Sequence, residues 1–290
     1  MTTASPEAGR RLWTALLTPG GLVLLVLFLV PLGMLIVFSF GTVNVIGTPV
    51  LGHTLLNFDL VFQSYNLDVV ARTVWYAGLA TAICLIVGYA VAYTASRFGG
   101  RAGNAVIVMV VVPWLVDYLV RIYAWKLFLG DGGLLNAVLG HFGVGAITWT
   151  GTWYAVVGGL VYGYLPLMIL PIYAALSDMD ASLIDAGKDL YGSPRATFFH
   201  VTLPATRQGV VGGCLLVFLP ALGDFATAQF LGGPNNTMIG NIIADQFVES
   251  GSQTFGAALA VSLIAVLAIT VVLVALILRR RARLIQLVSR

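Results

Sequence analysis

Six apolar stretches divide this chain, each long enough to cross a bilayer as a helix, and that pattern leaves few folds open to it. They run over roughly 20–42, 73–95, 104–129, 153–176, 208–230 and 256–278. A hydrocarbon core about 30 Å thick takes about 20 apolar residues of helix. Strands cannot satisfy their backbone groups singly in lipid, so these segments are expected to be helical. The first, second, fourth and sixth contain no Asp, Glu, Lys or Arg. Charged residues make up only 9% of the chain and hydrophobic ones 59%. A soluble fold carries about 25% charged residues, so lipid is the expected main solvent. The expected fold class is an all-α integral membrane protein with six transmembrane helices, forming a single domain over 1–290.

The basic residues orient it. Arg10, Arg11, Arg97, Arg101, Lys188, Arg195, Arg207, Arg279, Arg280, Arg281, Arg283 and Arg290 fall in one set of connections, whereas 43–71, 130–152 and 231–255 hold none. By the positive-inside rule both termini and the 177–207 loop are expected in the cytoplasm. Trp149, Trp153 and Tyr154 then lie near the outer interface, where amphipathic aromatics are favoured. The start of the chain has Arg10 and Arg11 ahead of an apolar run too long for a signal peptide's core, and it reads as a retained first helix. The short connection 96–103 makes the second and third helices antiparallel neighbours. Pro31, Pro113, Pro166, Pro171 and Pro220 fall inside the apolar stretches, each a packing kink or a hinge.

Cys84 and Cys214 sit in apolar runs and read as buried thiols. His53, His141 and His200 are far apart and lack metal-ligand spacing. No GxxxxGK[ST] phosphate loop occurs, so the chain is not expected to bind ATP that way. No clustered nucleophile and base suggests a membrane-embedded enzyme, and no convincing inverted repeat suggests a secondary transporter.

The 177–207 connection holds most of the chain's ordinary polar chemistry. Ser182 with Asp185 three residues later fits a capping box. Leu183, Ile184, Ala186, Gly187 and Leu190 give a short helix an apolar side, and Gly192–Ser193–Pro194 ends it. Pro204 is expected to break the chain before the fifth span. This segment resembles the EAA loop of ABC importer permeases, whose pattern is E-A-A, three residues, G, then nine residues and I/V-x-L-P. Asp185 stands for the Glu, Ala186 and Gly187 for the two alanines, Tyr191 for the Gly with Gly192 just after it, and Val201, Leu203 and Pro204 match the end. The stretches from Pro113 to Asn136 and from Pro220 to Pro234, with Phe255 to Leu263, look like spermidine/putrescine-type permeases.

The resemblance implies a type I ABC importer permease fold and a non-enzymatic translocation subunit of a bacterial cytoplasmic membrane. It implies that Asp185, Ala186, Gly187, Leu190, Tyr191, Gly192 and Ser193 dock on an ATPase through a coupling helix. It implies two copies of an ATP-binding subunit, a second permease and an extracytoplasmic solute-binding protein as partners, and no nucleic acid. ATP and Mg would belong to the ATPase, with no cofactor in this chain. The implied solute is a polyamine, or else another small solute.

Charges inside the stretches offer a candidate path. Asp117 and Arg121 stand at i,i+4 in the third stretch, and Asp224 in the fifth. At about 1.5 Å per residue, Asp117 lies about 20 Å and Asp224 about 24 Å from the inner side, depths at which the two acids could meet in the outer half of the membrane. Two readings stand. The acids, with Tyr118, Tyr123 and Trp125 nearby, line a route for a cationic solute; or Arg121 neutralises one or both of them as a structural ion pair.

Overall fold

The computed structural model describes residues 6–44, 48–98, 100–248 and 252–288. Of the residues used above, Arg290 lies outside the described set, as do the side chains of Arg10, Arg11, Arg101, Arg279, Arg280, Arg281 and Arg283. Helix α1 spans Pro6–Ser39. A two-residue antiparallel ribbon, β1 Thr42–Val43 with β2 Pro49–Val50, interrupts the helical pattern. Then follow α2 Leu56–Val61, α3 Ser64–Phe98, α4 Gly100–Trp114, α5 Tyr118–Leu129, α6 Leu134–His141 and α7 Trp153–Ser177. The 177–207 connection folds into α8 Ala181–Tyr191, α9 Pro194–Thr197, a π-helical turn Phe198–Thr202 and α10 Leu203–Ala205. The chain closes with α11 Arg207–Leu222, α12 Ala226–Leu231, a 3₁₀ turn Pro234–Asn236, α13 Ile239–Val248 and α14 Gln253–Val288.

Among the described residues, four segments are single helices long and apolar enough to cross a membrane: Thr18–Ser39, Ser64–Phe98, Trp153–Ser177 and Gln253–Leu276. Two further candidates are bent pairs, Ala102–Trp114 with Tyr118–His141 at 90° and Pro194–Ala205 with Arg207–Leu222 at 66°. The third stretch is therefore not the continuous helix that its hydropathy suggested. The break has a chemical cause. The Asp117 carboxylate accepts from the backbone N–H groups of Leu119 and Val120 at 3.0 and 3.3 Å, which starts a new helix. The fifth stretch is interrupted in the same way. α11 ends at Leu222 with Gly223 as its C-cap, and the Asp224 carboxylate accepts from Thr227 N at 2.8 Å in the first turn of α12.

The chain divides into two compact units. In the first, residues 1–63 with 245–269, Asn57 Nδ2 donates to the carbonyls of Ser39 and Gly41 at 3.0 and 2.8 Å and ties α2 to the end of α1. The second unit, residues 64–244 with 270–290, has its core where α7 packs against α3 and α11. Cys84, Tyr89, Ala92, Met168, Ile169, Ile172, Leu176 and Val217 are buried there together. Small residues set the spacing: a Cβ at Gly209 would stand 2.5 Å from the Pro171 carbonyl oxygen, and one at Gly213 would stand 2.8 Å from Met168 Sδ. Pro166 and Pro171 lie inside α7 without ending it.

Candidate functional site: a buried carboxylate and an amphipathic loop helix

Two constellations carry chemistry, both in the second unit. The first gathers on Asp224, which is 5% exposed. Its Oδ2 accepts from Tyr164 on α7 at 2.8 Å, from Thr227 Oγ1 on α12 at 3.0 Å, and from the Tyr118 hydroxyl at the start of α5. Tyr118 also shares a 2.7 Å hydrogen bond with Thr227 Oγ1. The two tyrosine rings lie 6.3 Å apart, centroid to centroid. The breaks in the third and fifth stretches therefore meet at one carboxylate. Backbone interruptions at membrane depth survive where they are buried in protein or line a cavity. A neighbouring strut holds the second break: Asn241 Nδ2 donates to Phe225 O at 2.8 Å and to Gln229 Oε1 at 2.9 Å.

This arrangement corrects the sequence expectation in several places. Asp117 and Asp224 do not meet; Tyr118, the next residue, reaches Asp224 instead. The 90° bend after Trp114 voids a depth count at uniform rise along one axis. Asp117 and Arg121 form no ion pair, because the Asp117 carboxylate is used in capping α5 and the ion pair described is Asp185–Lys188 at 2.9 Å. Tyr123 packs on Phe230 at 4.6 Å, and Trp125 on Tyr162 at 5.3 Å, so neither joins the cluster. Tyr164 and Thr227 were missed. Thr227, three residues after Asp224, carried a signal as a capping partner; Tyr164, inside an apolar span, carried none.

A further cation went unread. Arg72, in the third turn of α3 and one residue past the 43–71 segment, donates to Asn235 O at 2.8 Å and to Thr237 O at 2.9 Å. Thr73 Oγ1 accepts from Ile239 N at 2.9 Å, and Tyr76 donates to Asn236 Oδ1 at 2.7 Å. Together they pin the 234–239 turn to α3.

The second constellation is α8. Its cap is Asp180, accepting from Ser182 N at 2.9 Å, and not the Ser182–Asp185 box. Asp185 is used by Lys188 instead. The Ser182 backbone N–H, with its hydroxyl adding to it, holds the exposed Asp180 carboxyl below the ordinary carboxylate range. Gly192 ends the helix at φ 65°, a conformation that glycine takes without strain. Ser193 Oγ then accepts from Ala196 N at 3.2 Å to start α9. Gly187 faces inward: a Cβ there would come within 2.9 Å of Thr197 Cγ2 and Val201 Cγ2. Tyr191 stacks on His200, centroids 5.0 Å apart. Leu183, Ala186 and Leu190 lie on the exposed side at helical spacing, Leu190 being 76% exposed. Beyond Pro204 the chain bends at Thr206, a fully buried residue whose Oγ1 lies 3.0 Å from the Tyr89 hydroxyl.

Long apolar helices, interrupted spans and an amphipathic helix on the loop after α7 define a membrane permease. The chain matches the family described as binding-protein-dependent transport system inner membrane component over residues 85–284, and it belongs to that family. It is an ABC importer permease of the bacterial inner membrane, crossing it more than once. It is 38% identical over 220 residues to the spermidine/putrescine transport system permease protein PotB of Haemophilus influenzae, covering 75% of this chain and 77% of that protein. It is 35% identical over 212 residues to the PotB of Escherichia coli strain K12, covering 72% and 77%. In fold it is similar to a bacterial ABC transporter chain involved in alginate import, with a TM-score of 0.75 at 17% identity over 93% of this chain and 95% of the other.

Proposed function

We propose that this permease carries polyamines such as spermidine and putrescine into the cell, and that Asp224 takes one of their ammonium groups in transit. The observation that carries this reading is a buried carboxylate set against two tyrosines in a chain 38% identical to a spermidine/putrescine permease. A polyamine sheds water along its path, and a fixed carboxylate offsets part of that loss. Aromatic faces beside it attract ammonium groups further.

In this reading six spans cross the membrane with both termini in the cytoplasm. Asp185, Ala186, Leu190, Tyr191 and Ser193 form the docking surface of α8, while Gly187 and Gly192 shape it. Two ATP-binding subunits hold ATP and Mg and hydrolyse it; this chain contributes no catalytic group. A second permease completes the pore, and a solute-binding protein delivers the polyamine. An amphipathic helix with an exposed apolar side suits helix-in-groove docking. Closure of the ATPases would pull α8 and, through the Thr206 bend, α11 with it.

Vesicles holding the complete importer test the solute. ATP-dependent uptake of labelled spermidine, competed by putrescine and not by neutral or anionic solutes, is the expected result. Robust uptake of a neutral or anionic solute with no polyamine uptake overturns the proposal.

A further inference from the structure

Arg121 is a second charge in the bent third stretch that the Asp224 cluster leaves aside. It is 9% exposed, and its Nε is buried with no hydrogen-bond partner among the described residues. Asp117, one turn earlier, turns its carboxylate to the α5 backbone. The Tyr118 ring, 5.4 Å from Arg121 Cζ, offers a face but no acceptor, since its hydroxyl is engaged with Asp224. The guanidinium borders a cleft of about 480 Å³ whose other lining is uncharged, including Val116, Val120, Trp125, Phe128 and Tyr162. Val116, Val120 and Leu127 are exposed on the same stretch.

A guanidinium keeps its charge in a protein. At membrane depth such a group pairs with an acid, a carbonyl or a water-filled cavity. Lipid tails would cover the exposed valines and leave Nε without an acceptor. Lipid phosphates stay at headgroup level, whereas Arg121 lies about 7 Å back from Lys126 along α5, toward the break. An apolar helix carrying one carboxylate satisfies both the valines and the guanidinium, whose fork donates two parallel hydrogen bonds to a carboxylate. We infer that this cleft seats the second permease subunit, which places an Asp or Glu side chain on Arg121. The inference rests on the reading above that the importer contains such a subunit.

The test uses the complete importer in membranes, with Val120 replaced by a photoreactive benzoylphenylalanine and Arg121 unchanged. Irradiation is expected to join this chain to the second permease. Arg121→Gln is expected to lower the amount of second permease that copurifies by about tenfold, and Arg121→Lys to retain most of it. Neutralising one intramembrane Asp or Glu of the second permease is expected to restore assembly with Arg121→Gln, the signature of a lost pair and not of misfolding. Crosslinks to lipid alone, to the ATPase alone or to nothing overturn the inference, and if the second permease still copurifies with the unaltered chain, the importer reading stands without it. Failure of any second permease to copurify with the unaltered chain overturns both.

Discussion

Asp224 draws hydrogen bonds from three helices and Asp180 from one, and each supports a different property. Around Asp224, four hydrogen bonds from Tyr118, Tyr164 and Thr227 hold a carboxylate that water scarcely reaches. Removing one donor to a buried charged group costs about 2 kcal/mol. Tyr164→Phe, which keeps the ring, is therefore expected to destabilise the complex by about that amount, read as a lower unfolding temperature in detergent. An unchanged transition would show that the hydroxyl adds nothing. Asp180 acts at the loop. Its carboxyl is held low by the Ser182 N–H, so its contribution is present above the ordinary carboxyl value and fades as pH falls through the depressed one. Amide exchange should show the first turn of α8 losing protection on acidification through that window, and Asp180→Ala should show the same loss already at neutral pH. Protection that ignores both changes would remove the cap from the account.

At the level of elements, packing follows from small residues and breaks follow from caps. The α11–α7 approach leaves no room at Gly209, where a Cβ would press on the Pro171 carbonyl. Gly209→Ala is expected to cost about 1–3 kcal/mol in complex stability. Full stability in that variant would mean that the helices part without penalty. Gly187→Arg is expected to lever α8 off Thr197 and Val201, leaving the chain in the membrane and ending transport-linked ATP hydrolysis. Hydrolysis at the unaltered rate would contradict a coupling role for α8. The apolar stretches were legible in sequence because lipid demands long uninterrupted hydrophobicity, and Gly192–Ser193–Pro194 was legible because turn chemistry is local. The two breaks were not. Asp117 and Asp224 each read as a charge seeking a charge, whereas each meets backbone N–H groups that a broken helix frees. The misplaced cap of α8 has a related cause: Asp180 and Ser182 are both good capping residues, and hydrogen bonding between them decides which one serves.

At the scale of the whole molecule, the claim is a polyamine permease driven from the cytoplasmic side. Its topology is open to labelling: single cysteines at Asp185 and His141 are expected to react from the cytoplasm and from outside respectively, and a reversal would invert the assigned orientation. The substrate claim concentrates on Asp224. The most direct measurement is ATP-driven uptake of labelled spermidine by vesicles holding the complete importer, with the unaltered chain and Asp224→Asn side by side at equal amounts of assembled complex. The account predicts rapid uptake by the unaltered chain and a fall of about tenfold or more in Asp224→Asn, the weight of one charge-assisted contact. Equal uptake by the two would contradict it, leaving Asp224 as a brace between two broken helices and not a station on the solute's path.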